Sequence, residues 1–199
     1  MPDRRTQILQ TAVRVIAQDG VRGLRVDRLA TTAGVSTALI YYHFKDRSGL
    51  LNAALEHVNA RARNYTDDAG TRTDNPRVRV EQILVAELQA RDDVRETSIA
   101  WGELRASAVF DADLREPLAS STGAWNTDVE ILIRDAQDAG AVAGAVDAGA
   151  AAERLTALVE GLSERWHSGS ISLDRARDLL AGAIEIELGS ASPAESPQE

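Results

Sequence analysis

The 199-residue sequence contains no cysteine, few aromatic residues and no long apolar run. Without cysteine the chain has no disulfides and no thiolate metal sites, which fits a reducing compartment. No apolar segment approaches the roughly 20 residues that cross a bilayer, and the opening MPDRRTQILQ lacks the apolar stretch of a signal peptide. We therefore expect a cytoplasmic protein, with no metal site and no cofactor.

Acidic residues outnumber basic ones, and the formal net charge is −9. Residues 1–60 nevertheless hold eight Lys and Arg against five Asp and Glu, a balance of +3 that leaves −12 for the remainder. A basic segment on an acidic chain can still bind phosphate, because salt screens charges separated by more than roughly 10 Å. Without a supporting motif, the same asymmetry is compatible with ordinary surface variation.

Strand patterns are absent, and apolar residues recur at helical spacing along the whole chain, which predicts an all-α fold of nine helices. The first helix is expected over about residues 4–19, the fourth over about 46–65 and the sixth over about 94–109. Pro76 suits the first turn of the fifth helix. Pro117 marks a boundary or lies in the first turn of the seventh.

The stretch DRLATTAGVSTALIYYHFKDR (27–47) reads as two short helices joined by a tight turn. Gly34 lies where the first of them must stop, because a residue without Cβ readily takes the left-handed conformation that closes a helix. Ser36 offers a hydroxyl that caps the first amides of the next helix. The pattern predicts a helix-turn-helix, which lays its second helix in the major groove of DNA.

This segment resembles the DNA-binding head of the TetR family of bacterial transcriptional regulators. Arg25 departs from the family pattern, in which many members carry Ser or Thr before the second helix; here that helix lacks a good cap, and a guanidinium is available for phosphate. The region 101–188 also resembles the C-terminal body of the BetI-like branch. The matching head positions are Ala30, Ala33, Gly34, Val35, Ser36, Tyr41, His43, Phe44, Arg47 and Leu50.

The resemblance implies a TetR-like regulator with three parts. Residues 1–48 form the DNA-binding domain, with the helix-turn-helix at about 27–46, and residues 49–188 form a ligand-binding and dimerisation domain. The polar, proline-bearing tail 189–199 is expected to be disordered. The expected partners are a second copy of the chain, an inverted-repeat operator in double-stranded DNA and an unidentified small-molecule effector. Release from DNA by the effector implies a repressor, although an activator stays open.

The second helix of the motif supplies most of the predicted DNA contacts. Small Thr37 and Ala38 let the backbone approach the base edges, and by resemblance Tyr41, Tyr42 and His43 mostly grip phosphates. Two readings of Tyr41 stay open, core packing and DNA contact. His43 fits a phosphate or helix-terminus contact better than a metal ligand. The full predicted DNA-binding set is Arg25, Ser36, Thr37, Ala38, Tyr41, Tyr42, His43, Lys45 and Arg47.

The predicted effector site lies in the central helices, around two of the three tryptophans. A dry pocket with a few polar groups is the usual form of a small-molecule site, although buried aromatics also serve simply as core. A carboxylate such as Glu87, Glu96 or Glu103 beside a Trp would favour a cationic effector. The predicted ligand-binding residues are Trp101, Glu103, Phe110, Trp125 and Asn126.

The last two helices have apolar faces with little else in the sequence to cover them. In the family the corresponding helices pair with their symmetry mates in a four-helix bundle. The predicted dimer-interface residues are Leu155, Leu158, Leu162, Trp166, Leu179, Leu180 and Ile184.

Two other classes of function have less support from the sequence. An all-α enzyme has little support, because the three histidines lie far apart and no acid–base partners stand at motif spacing. A sequence-neutral architectural DNA binder is disfavoured by the acidic total charge. We therefore predict a sequence-specific regulator without catalytic residues.

Overall fold

The computed structural model describes residues 3–189, and these residues form nine α-helices, one 3-10 turn and no strand, which confirms the all-α prediction. No helix in this part of the chain combines the length and apolar character that crossing a membrane requires. Of the predicted tail, all but Gly189 lies outside the described residues. The helices are α1 (Arg4–Gly23), α2 (Val26–Ala33), α3 (Thr37–Phe44), α4 (Arg47–Gly70), α5 (Pro76–Ala86), α6 (Asp92–Ala108), α7 (Arg115–Asp138), α8 (Ala148–His167) and α9 (Leu173–Leu188), with the 3-10 turn Ala112–Leu114 before α7.

The chain divides into two compact units. Unit 1 comprises Met1–Arg63 and Arg91–Thr122, and unit 2 comprises Asn64–Ala90 and Gly123–Glu199. Of the three divisions along the chain, one falls inside α4, one inside α7 and one in the loop between α5 and α6. They group residues by packing, whereas the predicted division into 1–48 and 49–188 concerns function and stays a prediction.

Unit 1 is built around α1, which packs against α2 and α6. The apolar stripe of α1 is fully buried, as in Ile8 and Ile16, because its period of 3.6 residues keeps one face toward the core. Leu29 of α2, Leu50 of α4 and Leu104 of α6 complete the same core.

Unit 2 is formed by α5, α8 and α9 with the adjoining parts of α4 and α7. Val80 and Leu84 of α5 and Ile133 of α7 share one core with the apolar faces of α8 and α9. One apolar face of each of these last two helices is therefore covered within the chain itself, more than the sequence led us to expect, while Ile186 of α9 stays exposed. At the end of α9 the buried Arg77 guanidinium donates to the carbonyl of Gly189 at 2.9 Å.

The ends of α1 and α4 lie beyond the predicted ones. Helix α1 is interrupted at Gly20, as expected, but helical residues resume and continue to Gly23. Helix α4 continues past Tyr65 to Gly70, because no breaker intervenes before that glycine. Pro76 is the first residue of α5 and Pro117 lies in the first turn of α7, which confirms one of its two readings.

Candidate functional site

The turn between α2 and α3 has the predicted chemistry. Gly34 takes a left-handed conformation (φ +66°) that ends α2, and the amide of Val35 donates to the carbonyl of Ala30 at 3.0 Å. The Ser36 hydroxyl accepts from the amide of Leu39 at 3.2 Å and so caps α3. The two helices are thus joined in the helix-turn-helix arrangement that the sequence predicts.

Helix α3 has one buried face and one exposed face. Ile40 and Phe44 are buried in unit 1 and anchor the helix. Four side chains on the other side are exposed, and Tyr42 is 81% and Tyr41 49% accessible. The exposed set consists of Thr37, Ala38, Tyr41 and Tyr42. A short helix that is buried on one face and exposed on the other can enter a DNA groove.

The end of α3 carries His43 and Lys45. The half-buried His43 ring stands edge-on to Tyr42, with ring centroids 5.3 Å apart. Lys45 ends the helix with φ +63°, and its amide donates to the carbonyl of Tyr41 at 2.8 Å. Its side chain is exposed beside the exposed residues of α3, as a phosphate contact requires.

Two other predicted phosphate contacts already have partners within the protein. Arg25 pairs with Asp27 at 3.0 Å and leaves α2 without a side-chain cap, as its departure from the family pattern predicted. Arg47 donates to the carbonyl of Val21 at 2.9 Å. Binding of phosphate by either guanidinium would have to share or replace these contacts.

One basic residue near this surface is missing from the predicted set. The Arg5 guanidinium lies over the Phe44 ring, 5.5 Å from its centroid, and therefore places positive charge at the end of α3. The sequence carries no local signal for this contact, because the two residues are 39 positions apart.

Trp101 is half-buried in unit 1 and belongs to a polar network. Its Nε1 donates to Asn59 Oδ1 at 2.8 Å, and Asn59 donates in turn to the Ser121 hydroxyl at 2.7 Å. The Arg105 guanidinium lies over the indole at 4.2 Å. Both the edge and the face of this tryptophan thus have partners in unit 1.

The other predicted ligand-binding residues fall in different places. Phe110 is 84% exposed at the end of α6, so it does not line an enclosed pocket within unit 1. Trp125 packs against the core of unit 2, and Asn126 accepts from the Thr156 hydroxyl at 2.7 Å. Trp101, Glu103 and Phe110 belong to unit 1, whereas Trp125 and Asn126 belong to unit 2.

The three carboxylates considered for a cationic ligand have different surroundings. Glu96 is paired with Arg61 at 2.7 Å, and Glu103 accepts from the Val21 amide. Glu87 accepts from the Tyr65 hydroxyl at 2.6 Å, and no Arg or Lys of the described residues forms an ion pair with it.

Glu87 is therefore an enclosed carboxyl group that lacks a cationic partner among the described residues. The residue as a whole is half-buried, but its carboxyl is surrounded by protein. Burial raises the pKa of Glu87 from 4.5 to about 7; the hydrogen bond from Tyr65 opposes this rise, and the negative charge of Glu160 adds to it.

Burial separates the predicted dimer-interface residues into two groups. Leu155, Leu162, Leu180 and Ile184 are buried in the core of unit 2, where they pack against other residues of the same chain. Leu158, Trp166 and Leu179 are half-buried. Ile186, which is 86% exposed on α9, is missing from the predicted set.

The all-α fold and its exposed recognition helix define the class of a helix-turn-helix DNA-binding regulator. Residues 8–54 match the model of the bacterial regulatory proteins of the tetR family. Residues 76–189, more than half of the chain, match that of the C-terminal part of BetI-type transcriptional repressors. The chain belongs to the TetR family of transcriptional regulators, with a BetI-type body, and it is a DNA-binding repressor that responds to a small molecule.

Individual relatives agree with this assignment. The HTH-type transcriptional regulator BetI of Rhizobium meliloti is 26% identical over 189 residues, which is 94% of this chain and 90% of that protein. The BetI of Brucella anthropi is 31% identical over 117 residues, which is 59% of this chain and 60% of the other.

Solved structures extend the likeness to three dimensions. A protein from Rhodococcus sp., described as a TetR-family transcriptional regulator, is 48% identical with a TM-score of 0.88, covering 94% of this chain and all of the other. A transcriptional regulator from Saccharomonospora viridis, solved in complex with choline, is 26% identical with a TM-score of 0.82. That match covers 93% of this chain and 96% of the other.

Proposed function

We propose that this repressor binds, as a homodimer, an inverted-repeat operator and leaves it when a small organic cation binds to unit 2. The observation that carries the DNA-binding part is the bare face of α3, whose exposed Thr37, Ala38, Tyr41 and Tyr42 stand opposite buried Ile40 and Phe44. We further propose that the protein acts in the cytoplasm and catalyses no reaction. Its histidines, His43, His57 and His167, lie on three different helices.

Selection of bound duplexes from a random DNA pool tests the operator. Two copies of α3 related by a twofold axis reach half-sites roughly one helical turn apart, so we expect recovery of one inverted repeat. Thr37→Val is expected to alter the base preference at one position of each half-site, because it keeps the side-chain shape but removes the hydroxyl. Recovery of no consensus would favour the sequence-neutral binder instead.

The homodimer is supported by an apolar face on unit 2 that the chain leaves open. Ile186 is 86% exposed, half-buried Leu179 lies two helical turns before it, and nothing lies within 4 Å of where a Cβ of Gly182 would be. Exposed Gly161 on α8 is equally open. Small residues beside large apolar ones let two helices approach closely, as a helix–helix interface requires.

Ile186→Asp tests this interface. We expect the variant to elute as a monomer and to lose operator binding, because two charged side chains would be buried at the twofold contact. Ile131→Asp on α7, where the wild-type side chain is 50% exposed, is the matched control and should stay dimeric. A dimer of unchanged stability for Ile186→Asp would exclude this face.

The cationic effector is supported by Glu87. A buried carboxylate without a cationic partner is costly, and a quaternary ammonium ion beside it and an aromatic ring would offset that cost. Tyr65 supplies such a ring, since its hydroxyl is bonded to Glu87. The choline found in the related Saccharomonospora viridis structure is a ligand of this chemical class.

Release of the protein from its selected operator tests the effector. We expect choline to release the wild type, and its uncharged analogue 3,3-dimethylbutanol to do so far less, because the analogue keeps the shape and lacks the charge. Glu87→Gln should keep DNA binding and lose the response to choline, while Glu164→Gln on the exposed surface of α8 should behave like the wild type. Equal responses to both compounds would refute the cationic site.

A further inference from the structure

The break in α1 leaves one backbone amide that the helix cannot satisfy. Gly20 has φ +72° and ψ 172°, far from helical values, so the amide of Val21 is turned away from the carbonyl four residues earlier. Val21 is buried, and water is therefore not available in place of that carbonyl. A buried amide of this kind requires a partner from elsewhere in the fold.

Glu103 of α6 supplies the partner. Its Oε2 accepts from the Val21 amide at 3.3 Å, across 82 positions of sequence. The same oxygen lies 2.7 Å from the place where a Cβ of residue 20 would be, so the carboxylate rests directly against the glycine backbone. The positive φ of Gly20 favours glycine, and a Cβ at this position would push the Glu103 carboxylate away from the Val21 amide.

The carbonyl of Val21 also accepts a hydrogen bond from a side chain. Arg47, the first residue of α4, donates to it from Nη2 at 2.9 Å. The two polar groups of one buried residue are thus held by side chains from two other helices, α6 and α4. This pair of contacts, Glu103 to the amide and Arg47 to the carbonyl, is here named the Val21 clamp.

The clamp lies immediately before the DNA-binding helices. Leu24, which is buried, follows three residues later, and Arg25 is the residue that precedes α2. Because α2 and α3 are short and joined by a tight turn, a shift at the start of α2 is carried directly to the groove-facing side chains of α3. DNA recognition requires those side chains to keep their position to within a fraction of an ångström.

We propose that Glu103 is a positioning residue for DNA recognition: by accepting from the Val21 amide it holds the break in α1, and through it α2 and α3, in the orientation that reads the operator. This role differs from the ligand contact that the sequence predicted for Glu103. Through Glu103, helix α6 stabilises the orientation of α2 and α3. The inference rests on sequence-specific DNA binding and does not depend on the identity of the effector.

The test compares Glu103→Ala with Glu103→Gln in the full-length protein. The probes are the duplex that the wild type selects from a random pool and a scrambled duplex of equal length, both at one salt concentration. Loss of a hydrogen bond to a charged acceptor corresponds to about a tenfold change in an equilibrium constant. Glu103→Ala should therefore bind the selected duplex about tenfold more weakly than the wild type. Binding to the scrambled duplex should change less than about twofold, because non-specific affinity depends on phosphate contacts.

Glu103→Gln should restore most of the affinity, because its amide oxygen accepts the same hydrogen bond without the charge. Hydrogen exchange at the Val21 amide, measured without DNA, should accelerate in Glu103→Ala and stay slow in Glu103→Gln. Glu56→Ala, which removes an exposed glutamate of α4 in the same unit, is the matched control and should match the wild type in both assays.

Three results would overturn the proposal. They are an unchanged affinity of Glu103→Ala for the selected duplex, an equal weakening on both duplexes, and a Gln variant as weak as the Ala variant. A wild type that prefers no duplex contradicts sequence-specific recognition itself, and Val21 exchange then still decides whether the clamp exists.

Discussion

Replacing Glu87 by glutamine should stabilise the protein at alkaline pH and leave its stability nearly unchanged at acid pH. In the wild type the carboxyl is enclosed by protein and accepts one hydrogen bond, from Tyr65. The amide oxygen of glutamine can accept the same bond, and the amide carries no charge at any pH. The substitution therefore removes the ionisation of one buried group while keeping its size and its partner.

The magnitude follows from the pKa of Glu87, which burial raises from 4.5 to about 7 in the folded protein. Between these two values the folded chain holds a proton that the unfolded chain has released, so the free energy of unfolding falls as the pH rises through that window. Since a tenfold change in proton affinity corresponds to about 1.4 kcal/mol, the loss reaches at most about 3 kcal/mol above pH 7. Glutamine avoids this loss.

Urea unfolding at pH 5, 6, 7 and 8 measures the effect as the difference in free energy between variant and wild type. Other titrating groups cancel in this difference, because both proteins share them. We expect a value of about 0.8 kcal/mol at pH 5, where the unfolded carboxyl is already mostly ionised, that grows to about 3 kcal/mol in favour of Glu87→Gln at pH 8. Glu164→Gln, an exposed substitution on α8, should show a difference near zero at every pH.

A difference between Glu87→Gln and the wild type that is flat with pH would refute the reasoning, because it would mean that Glu87 has an ordinary pKa. A variant less stable than the wild type at pH 8 would refute it more strongly. That result would show that the ionised carboxylate is stabilised by a partner in the folded protein.

Three further predictions concern separate features. Gly34→Ala should destabilise the protein by about 1–2 kcal/mol in thermal unfolding, since φ +66° strains any residue with a Cβ; an unchanged midpoint would contradict it. Arg77→Ala should cost about 2–4 kcal/mol in urea unfolding, because it leaves a cavity and removes the donor to Gly189; a loss below about 1 kcal/mol would contradict the anchoring role. Lys45 is the only lysine in the sequence, so reductive methylation gives it a ¹³C-methyl signal that can be assigned. This signal should shift on binding the selected duplex and should not shift on adding a single-stranded oligonucleotide of unrelated sequence. No shift with the duplex would exclude the phosphate contact.

The helix-turn-helix was predictable because its determinants are local. Gly34 ends α2 and Ser36 caps α3 through contacts that reach no more than five residues along the chain. Ile40 and Phe44 lie four positions apart, so the helical period puts both on one face of α3, and both are buried. The same local reasoning recognised that Arg25 cannot cap α2.

The prediction was weaker wherever a residue's role depends on what packs against it. An apolar stripe on α9 looks the same in sequence whether another helix of the chain or a second copy covers it, and Leu180 and Ile184 proved to be buried within unit 2. Exposed Ile186, on the same helix, was overlooked for the same reason.

The sequence by itself determined the class of fold, the position of the recognition helix and the family, because periodicity, capping and turn chemistry act over a few residues. Only the tertiary structure decided which long-range partners the polar side chains take. It assigned Glu103 to the amide of Val21, Arg5 to the ring of Phe44 and Tyr65 to Glu87. Such contacts join residues 22 to 82 positions apart, and their energy depends on burial and geometry that exist only once the helices have packed.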